Sequence, residues 1–309
     1  MDLSIIIVNW NTRDLLAACL DSLRAYPFDG PSEIWVVDNA SSDGSAALVR
    51  ERYPDVHLIE NSRNVGFATA NNQALRASTG RYAVLFNSDA LAQSGALTAL
   101  VRFMDDHPAV GAVGPKLINP DGSFQASYAA YPTLLSELAL LAGLARLWLG
   151  PYAPSPRPVA GETSRPVDWV AGAALLVRRA AIEQVGLMDE GYFLYSEETD
   201  WCWRLTRGGF PIWYLPHVEI IHQGGASSRQ QSARSYGLLY ASKLRFFARH
   251  YGAAAAWALR LAFLAGAALR LALWRALLLL PTRPERQPRW RLRAEQDQIL
   301  LRTCLTASA

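Results

Sequence analysis

The sequence predicts an α/β protein with a mostly parallel central sheet covered by helices on both faces, followed by a C-terminal helical segment. Three observations support this. Short apolar, β-branched runs alternate with stretches of helical period. Each of the first runs stops at a polar cluster, the place where open parallel sheets hold ligands. Beyond residue 240 the composition shifts to Ala, Leu and Arg.

The first strand is Ile5–Val8, ending in NWNT, and the second is Ile34–Val37, ending in DNASSDG. Between them Leu15, Leu16, Cys19, Leu20 and Leu23 recur at the spacing of one helix face. A helix over Ser45–Arg52, a short strand at His57–Glu60 and a helix over Phe67–Ala77 precede a strand at Ala83–Phe86 that ends in NSDA. Strands this apolar are buried on both faces, so the helices must lie above and below them. The polar clusters equally suit turns and caps, with Ser41 or Ser42 placed to cap the helix that follows. Leu134–Leu149 predicts a greasy helix, and the five prolines of Pro151–Pro166 a loop at the edge of the body. VDWVAGAALLVRR then predicts a strand with Gly172 in its middle, followed by an acidic, aromatic cluster, a strand in FPIWYLP and the run VEIIHQGGASS.

At 309 residues, 51% apolar and 18% charged, the chain is globular and long enough for one large domain with an appendage. Residues 1–240 carry 18 basic and 24 acidic side chains, net −6, whereas residues 241–309 carry 12 and 3, net +9. The asymmetry points the tail at anionic lipid rather than nucleic acid. Cys19, Cys202 and Cys304 are far apart and form no CxxC pair, which fits a reducing compartment without a disulfide framework or zinc site. The N-terminal MDLSIIIVNW lacks the basic residues and long apolar region of a signal peptide, which places the body in the cytoplasm. Residues 253–280 predict a helix about 42 Å long. Arg260, Arg270 and Arg275 interrupt it, so it is not a clean membrane span. With Arg249 they fall within roughly 140° of arc, which suits a helix lying in the membrane interface, or one packed on the body with its arginines outward.

Three groups carry candidate chemistry. Asp89 ends a buried-looking strand, where a carboxylate suits a hard cation that also holds a diphosphate. His222 closes VEIIH before two glycines; alone it reads as structural, but beside Asp89 it is a second ligand suited to Mn²⁺. In YSEETDWCW, Glu197, Glu198 and Asp200 sit among Tyr195, Trp201 and Trp203. Acids in a first helical turn are simply favourable to the dipole. Aromatic walls, however, strip a carboxylate of water and raise its pKa, as a general base requires.

The stretches SIIIVNWN, WVVDNASSDGS, NVGFATANN, LFNSDA, DWVAGAALLVRR, GLMDEGYFLYSEETDWCWRLTRGGFPIWYLP and IIHQGGASS, in this order over residues 3 to 228, resemble the inverting family-2 glycosyltransferases of GT-A fold, in particular their bacterial rhamnosyltransferase-like branch. The resemblance implies a Rossmann-like GT-A domain over 1–235, with a nucleotide-sugar half at 1–120 and an acceptor and catalytic half at 121–235, and a basic amphipathic helical tail over 236–309. It implies a pocket for the donor's base from Val8, Asn9, Trp10 and Asp38, and donor contacts from Asn64, Gly66, Asn71 and Asn87. Asp168, Trp169, Gly172, Asp200 and Trp201 fall on the acceptor side. Asp89 and His222 match the metal ligands, and Glu197 with Glu198 the acidic pair that carries the base. Two positions depart from the pattern: Asn87 stands where the first acid of the DxD-type motif is usual, and Glu198 where Asp is, which leaves the choice between Glu197 and Glu198 open.

The activity so implied is transfer of a sugar, L-rhamnose from dTDP-L-rhamnose, to a lipid-linked or cell-envelope glycan with Mg²⁺ or Mn²⁺. The protein would work at the cytoplasmic membrane face, held peripherally by residues 250–290, and a homodimer is compatible with it. Donors carrying mannose, galactofuranose, glucose or an N-acetylhexosamine suit the same scaffold. An inactive membrane-associated glycan-binding scaffold is the competing class, prompted by the two departures. A nucleotidyltransferase would need a glycine-rich basic loop after the first strand, which NWNTRDLL is not.

Overall fold

The computed structural model describes residues 1–156, 159, 161–224, 232–279 and 287–306. The chain divides into two compact units, Met1–Tyr131 with Leu149–Phe193 and Glu197–Ser227, and Pro132–Trp148 with Leu194–Ser196 and Ser228–Ala309. The insertion at 132–148 groups with the C-terminal helices.

In the first unit, β1 (Leu3–Asn9), β2 (Ser32–Asp38), β3 (His57–Glu60) and β4 (Tyr82–Phe86) pair in parallel in the order β3-β2-β1-β4. They are linked by α1 (Arg13–Ala25), α2 (Ser45–Arg52) and α3 (Phe67–Ala77). There follow β5 (Ala90–Leu91), α4 (Ala96–Asp106), β6 (Ala112–Ile118), β7 (Phe124–Gln125) and β8 (Tyr128–Ala129). After the inserted helices α5 (Leu134–Leu141) and α6 (Ala145–Leu149) come β9 (Arg165–Val167), β10 (Trp169–Val170), β11 (Ala174–Arg178), α7 (Arg179–Val185), α8 (Glu197–Arg207) and β12 (Ile212–His222). The sheet continues from β4 through β11, β6 and β12 to β5, while β8 and β10 pair separately. It is mixed: β11 runs antiparallel to both β4 and β6, and β12 is parallel to β6. The single strand expected over VDWVAGAALLVRR is broken at Ala171–Ala173, and the piece after the break enters the sheet against its neighbours.

The period-two pattern of β1 explains the two layers. Ile5 and Ile7 pack with Leu16, Leu20 and Val49 of α1 and α2 and Leu100 of α4. Ile6 faces the other way, onto Ala70 and Ala74 of α3, Ile182 of α7 and Trp201 of α8. All five residues of β4 are buried, so neither face can be polar.

The second unit contains α5, α6, α9 (Ser232–His250), α10 (Ala253–Leu279) and α11 (Gln287–Thr306). The helix expected over Leu134–Leu149 is split in two near Gly143, whose φ is +75°. α10 is long and apolar enough to cross a membrane by length and composition. Two of its three central arginines do not lie as either sequence reading requires. Arg260 is buried against the Trp257 ring. Arg270 donates to Asp297 of α11 at 2.6 and 3.0 Å, and Trp274 Nε1 donates to the same carboxylate at 3.0 Å. Arg260 and Arg270 are thus turned into the helical unit, whereas Arg275, and Arg249 on the preceding helix, are exposed, as are Trp257, Leu261, Leu269, Leu273 and Leu279. The physical reason is Asp297, which is itself buried and gives Arg270 a partner on the inner side. Leu280 and residues 281–286 of the proposed membrane segment lie outside the described residues.

Candidate active site

The carboxyl ends of β1 and β2 are in register, with Asn9 opposite Asp38. Asn9 is fully buried; its Nδ2 donates to Asp38 Oδ1 and to Ser41 Oγ, each at 3.1 Å, and its Oδ1 accepts from Thr12 Oγ1 at 2.7 Å. The Ser41 N–H donates to Asp38 Oδ2 at 2.9 Å. Ser41 therefore holds the Asp38 carboxylate and Ser42 donates to Asn11 Oδ1, and neither caps α2, whose N-terminus is formed at Gly44. Both oxygens of Asp38 are oriented but keep lone pairs for a further N–H. Val8 and Trp10 flank this point and are half-buried.

The loop before α3 is tied to the same strand ends by Asn39. Its Nδ2 donates to Asn64 Oδ1 at 2.9 Å and to Gly66 O at 3.3 Å, while its Oδ1 accepts from the Val65 N–H at 3.0 Å and Asn61 Nδ2 at 3.2 Å. Gly66 has φ +90°, and a Cβ there would stand 2.8 Å from Phe193 O. Only glycine allows the Phe67 N–H to reach that oxygen, at 2.7 Å. Asn71 is buried, donates to Phe67 O, and leaves its Oδ1 without a partner.

β4 delivers Asn87, Ser88 and Asp89, and β12 delivers His222. Asp89 Oδ1 lies 3.1 Å from His222 Nε2, and Asn87 Nδ2 lies 3.2 Å from the same nitrogen. Gln125 settles the ring's orientation. Its Nε2 donates to Asn119 Oδ1 at 3.0 Å and His222 O at 3.1 Å, so its Oε1 accepts from His222 Nδ1–H at 2.6 Å. That turns Nε2 toward the Asp89 carboxylate, where it can donate as an imidazolium N–H or share a divalent cation with that carboxylate. The donor set, one carboxylate and one imidazole, fits Mn²⁺ or Mg²⁺ supplemented by phosphate oxygens. Among the described residues no three His, Cys, Asp or Glu side chains gather into a ligand set.

The acids stand at the start of α8, which the chain enters through left-handed residues, Tyr195 (φ 70°) and Ser196 (φ 65°). Glu197 is buried; Glu198 retains some surface, but Oε2 of both is sealed from solvent and has no hydrogen-bond partner. Burial, and then the neighbouring Glu198 charge, push the Glu197 carboxyl well above the usual carboxylate range; burial pushes Glu198 up as well. Position 172 is glycine where Glu198 packs: a Cβ there would meet Glu198 Cβ at 3.6 Å and the Phe67 ring at 3.9 Å. The next residue, Ala173, accepts the Asn87 N–H at 3.0 Å. Gly172–Ala173 thus carries Glu198 on one side and holds the Asn87 backbone on the other. No activated thiol competes: burial raises Cys202 to about 12 and Cys19 further.

The acceptor-side expectations fare unevenly. Asp168 Oδ2 accepts the Tyr131 N–H at 2.7 Å, and Trp169 Nε1 donates to Ala130 O at 3.0 Å, so both are anchored on the chain leading out of β8. Asp200 and Trp201 are fully buried and present no surface to an acceptor. Asp200 pairs with Arg204 at 2.8 Å, and Trp201 Nε1 donates to Gly186 O at 2.9 Å. They follow the acids in sequence, but the helix turns them into the core. Sequence reasoning missed Gln125 and Asn39, since neither a lone glutamine nor an asparagine in a turn cluster signals a ligand-orienting role.

Residues 4–141 match the family model described as Glycosyl transferase family 2. The N-acetylglucosaminyl-diphospho-decaprenol L-rhamnosyltransferase of Mycobacterium tuberculosis is 33% identical over 253 residues, 74% of this chain and 80% of that protein. The low-salt glycan biosynthesis hexosyltransferase Agl10 of Haloferax volcanii is 27% identical over 227 residues, 72% of this chain and 67% of that protein. Among solved structures, a mannosyltransferase of Pyrobaculum calidifontis in complex with GDP-Man and Mn²⁺ aligns with a TM-score of 0.53 and 20% identity over 99% of this chain and 86% of that one. The fold is accordingly GT-A-like. With its mixed sheet, its strand-end donor cluster and these relatives, the chain is a glycosyltransferase and belongs to glycosyl transferase family 2.

Proposed function

We propose that the chain transfers L-rhamnose from dTDP-L-rhamnose, with inversion, to a lipid-linked glycan at the cytoplasmic face of the membrane, using a divalent metal. The observation that supports the chemistry is the meeting of Asp89 and His222 at 3.1 Å, together with Glu198 of α8 packed on Gly172, whose neighbour Ala173 accepts the Asn87 N–H. The donor and acceptor classes are supported by the M. tuberculosis relative, whose name specifies both. The reading divides the protein into a catalytic domain over 1–235, with donor and acceptor halves, and a helical tail over 236–309.

In this reading the base of the nucleotide rests among Val8, Asn9, Trp10 and Asp38, and Asn64, Gly66, Asn71 and Asn87 line the donor. Asp89 and His222 hold the metal, which when bound neutralises charge growing on the departing diphosphate. Gly172 leaves room at the acceptor side, with Asp168 and Trp169 behind it. Glu198 removes the acceptor hydroxyl's proton as that oxygen forms its bond to the anomeric carbon. The bond from that carbon to the diphosphate oxygen breaks, and dTDP leaves. Two adjacent buried carboxyls share protons: one remains neutral while the other ionises, which keeps the ionised one a stronger base than an exposed glutamate. The exposed apolar face of α10 supplies the membrane contact.

The test is turnover of dTDP-L-rhamnose with N-acetylglucosaminyl-diphospho-polyprenol, followed by dTDP release. Glu198→Gln should lower turnover by about 10²- to 10⁴-fold. Near-wild-type turnover in that variant, with loss in Glu197→Gln instead, moves the base to Glu197; no release from any sugar nucleotide in a panel with Mn²⁺ or Mg²⁺ overturns the enzymatic reading.

A further inference from the structure

The segment Met188–Phe193, which leads into the acids, lies along α3. At its far end the Phe67 N–H donates to Phe193 O at 2.7 Å. At its near end Asn72 grips a single residue on both sides: Nδ2 donates to Met188 O at 2.8 Å, and Oδ1 accepts the Met188 N–H at 3.1 Å. The remaining Nδ2 hydrogen donates to Glu190 Oε1 at 3.0 Å, and Arg76 of the same helix donates to that oxygen at 2.7 Å. Asn72 is fully buried.

A buried side-chain amide with every hydrogen bond made contributes little net stability over a well-packed apolar residue. What it supplies is register, because an apolar side chain would let the Met188 backbone slide and the amide does not. α3 also begins at the donor loop, where Asn64 and Gly66 are held by Asn39. One rigid helix therefore fixes the donor loop at its N-terminus and the segment entering the carboxylate pair along its side. We propose that Asn72 is a positioning residue that sets the reach of the Glu197–Glu198 pair toward the donor without itself touching substrate. The proposal rests on the assignment of the base to that pair.

The experiment compares Asn72→Asp with wild type in the full-length protein. Aspartate keeps the size and the acceptor for the Met188 N–H but loses both Nδ2 donations. Calorimetric titration with dTDP gives affinity and the number of binding-competent molecules; dTDP release from dTDP-L-rhamnose gives turnover per competent molecule. The expected result is full stoichiometry, a dTDP Kd within about threefold, and turnover down about 10- to 100-fold, the scale of an ångström-level misplacement of a catalytic group. A purely structural asparagine would lower stoichiometry and leave turnover per competent molecule unchanged, which overturns the proposal; so does a loss of dTDP affinity matching the loss of turnover. Should Asn72→Asp not fold, Glu190→Ala, which removes only the outer contact, is expected to lower turnover per competent molecule about threefold, and an unchanged value overturns the proposal. Normal turnover in Glu198→Gln and Glu197→Gln would instead remove the base assignment, whatever Asn72 does.

Discussion

Asp200 offers the sharpest separation of a structural from a substrate-facing acid in this site. It is completely buried, its Oδ2 accepts Arg204 Nε at 2.8 Å, and Arg204 donates in turn to Val185 O at 3.0 Å and Leu187 O at 2.8 Å. Asp200→Ala leaves the guanidinium fixed by those two carbonyls with its charge uncompensated. Removing one partner of a buried pair costs about 3–5 kcal/mol, and the lower end applies because the Arg204 side chain retains 17% of its surface. At about 2–4 °C per kcal/mol for a domain of this size, the melting temperature should fall by about 6–12 °C. Scanning calorimetry measures the shift, and a companion Asp200→Leu/Arg204→Met variant should recover much of it by replacing the pair with apolar packing. Turnover per folded molecule should be retained at a temperature well below the melt. A melting temperature within about 2 °C of wild type together with a large loss of turnover would refute the reasoning and return Asp200 to the acceptor side.

Glu197→Gln should alter stability in a pH-dependent way. Burial and the Glu198 charge raise the Glu197 pKa in the folded state, so its contribution is fully present in acid and is lost as pH rises through the folded value. The melting temperature of the variant relative to wild type should therefore be higher at about pH 8 than at about pH 5, and a difference that does not change with pH refutes the shift. On α10, Leu261→Glu/Leu269→Glu should abolish cosedimentation with anionic vesicles: two exposed leucines withdrawn from lipid contact amount to about 3 kcal/mol or more, over a hundredfold in partitioning, whereas unchanged binding would remove this face from the membrane contact.

Much of the fold was legible because β1 and β4 are buried on both faces and apolar at nearly every position, and β2 carries the apolar run Ile34–Val37, a pattern that needs no tertiary information. The short strands were not. β5, β7, β8 and β10 have two residues each, too few to show any period. The antiparallel insertion of β11 also leaves no trace in composition, since direction within a sheet is set by the connection and not by the residues of the strand. For α10 the sequence spacing could not tell that Arg249 belongs to the preceding helix, nor that Arg260 and Arg270 face inward while Arg275 faces out. The inward turn of Arg270 depended on Asp297, 27 positions away and on another helix.

The same asymmetry runs through the site. Asp89 and His222 stood out because Asp89 lies just beyond the apolar β4 and His222 closes β12, and strand ends are where a sheet exposes side chains to a ligand. Asp200 and Trp201 misled because nearness in sequence to Glu197 and Glu198 says nothing about side-chain direction on a helix that turns 100° per residue. The amides were invisible for a different reason. Asn39 and Asn72 read locally as turn or helix-surface residues, yet each is buried with its hydrogen bonds satisfied by partners elsewhere in the chain, 116 positions away in the case of Met188. A sheet of apolar strands can place a ligand only as well as the loops at its ends are held. Apolar contacts, being non-directional, resist sliding poorly. Directional bonds from buried amides hold these loops in one register, so the rigidity of the site comes from residues that the hydrophobic pattern does not mark. That is the physical reason acids and a histidine at strand and helix ends stand out in the sequence while the buried amides that hold the loops around them do not.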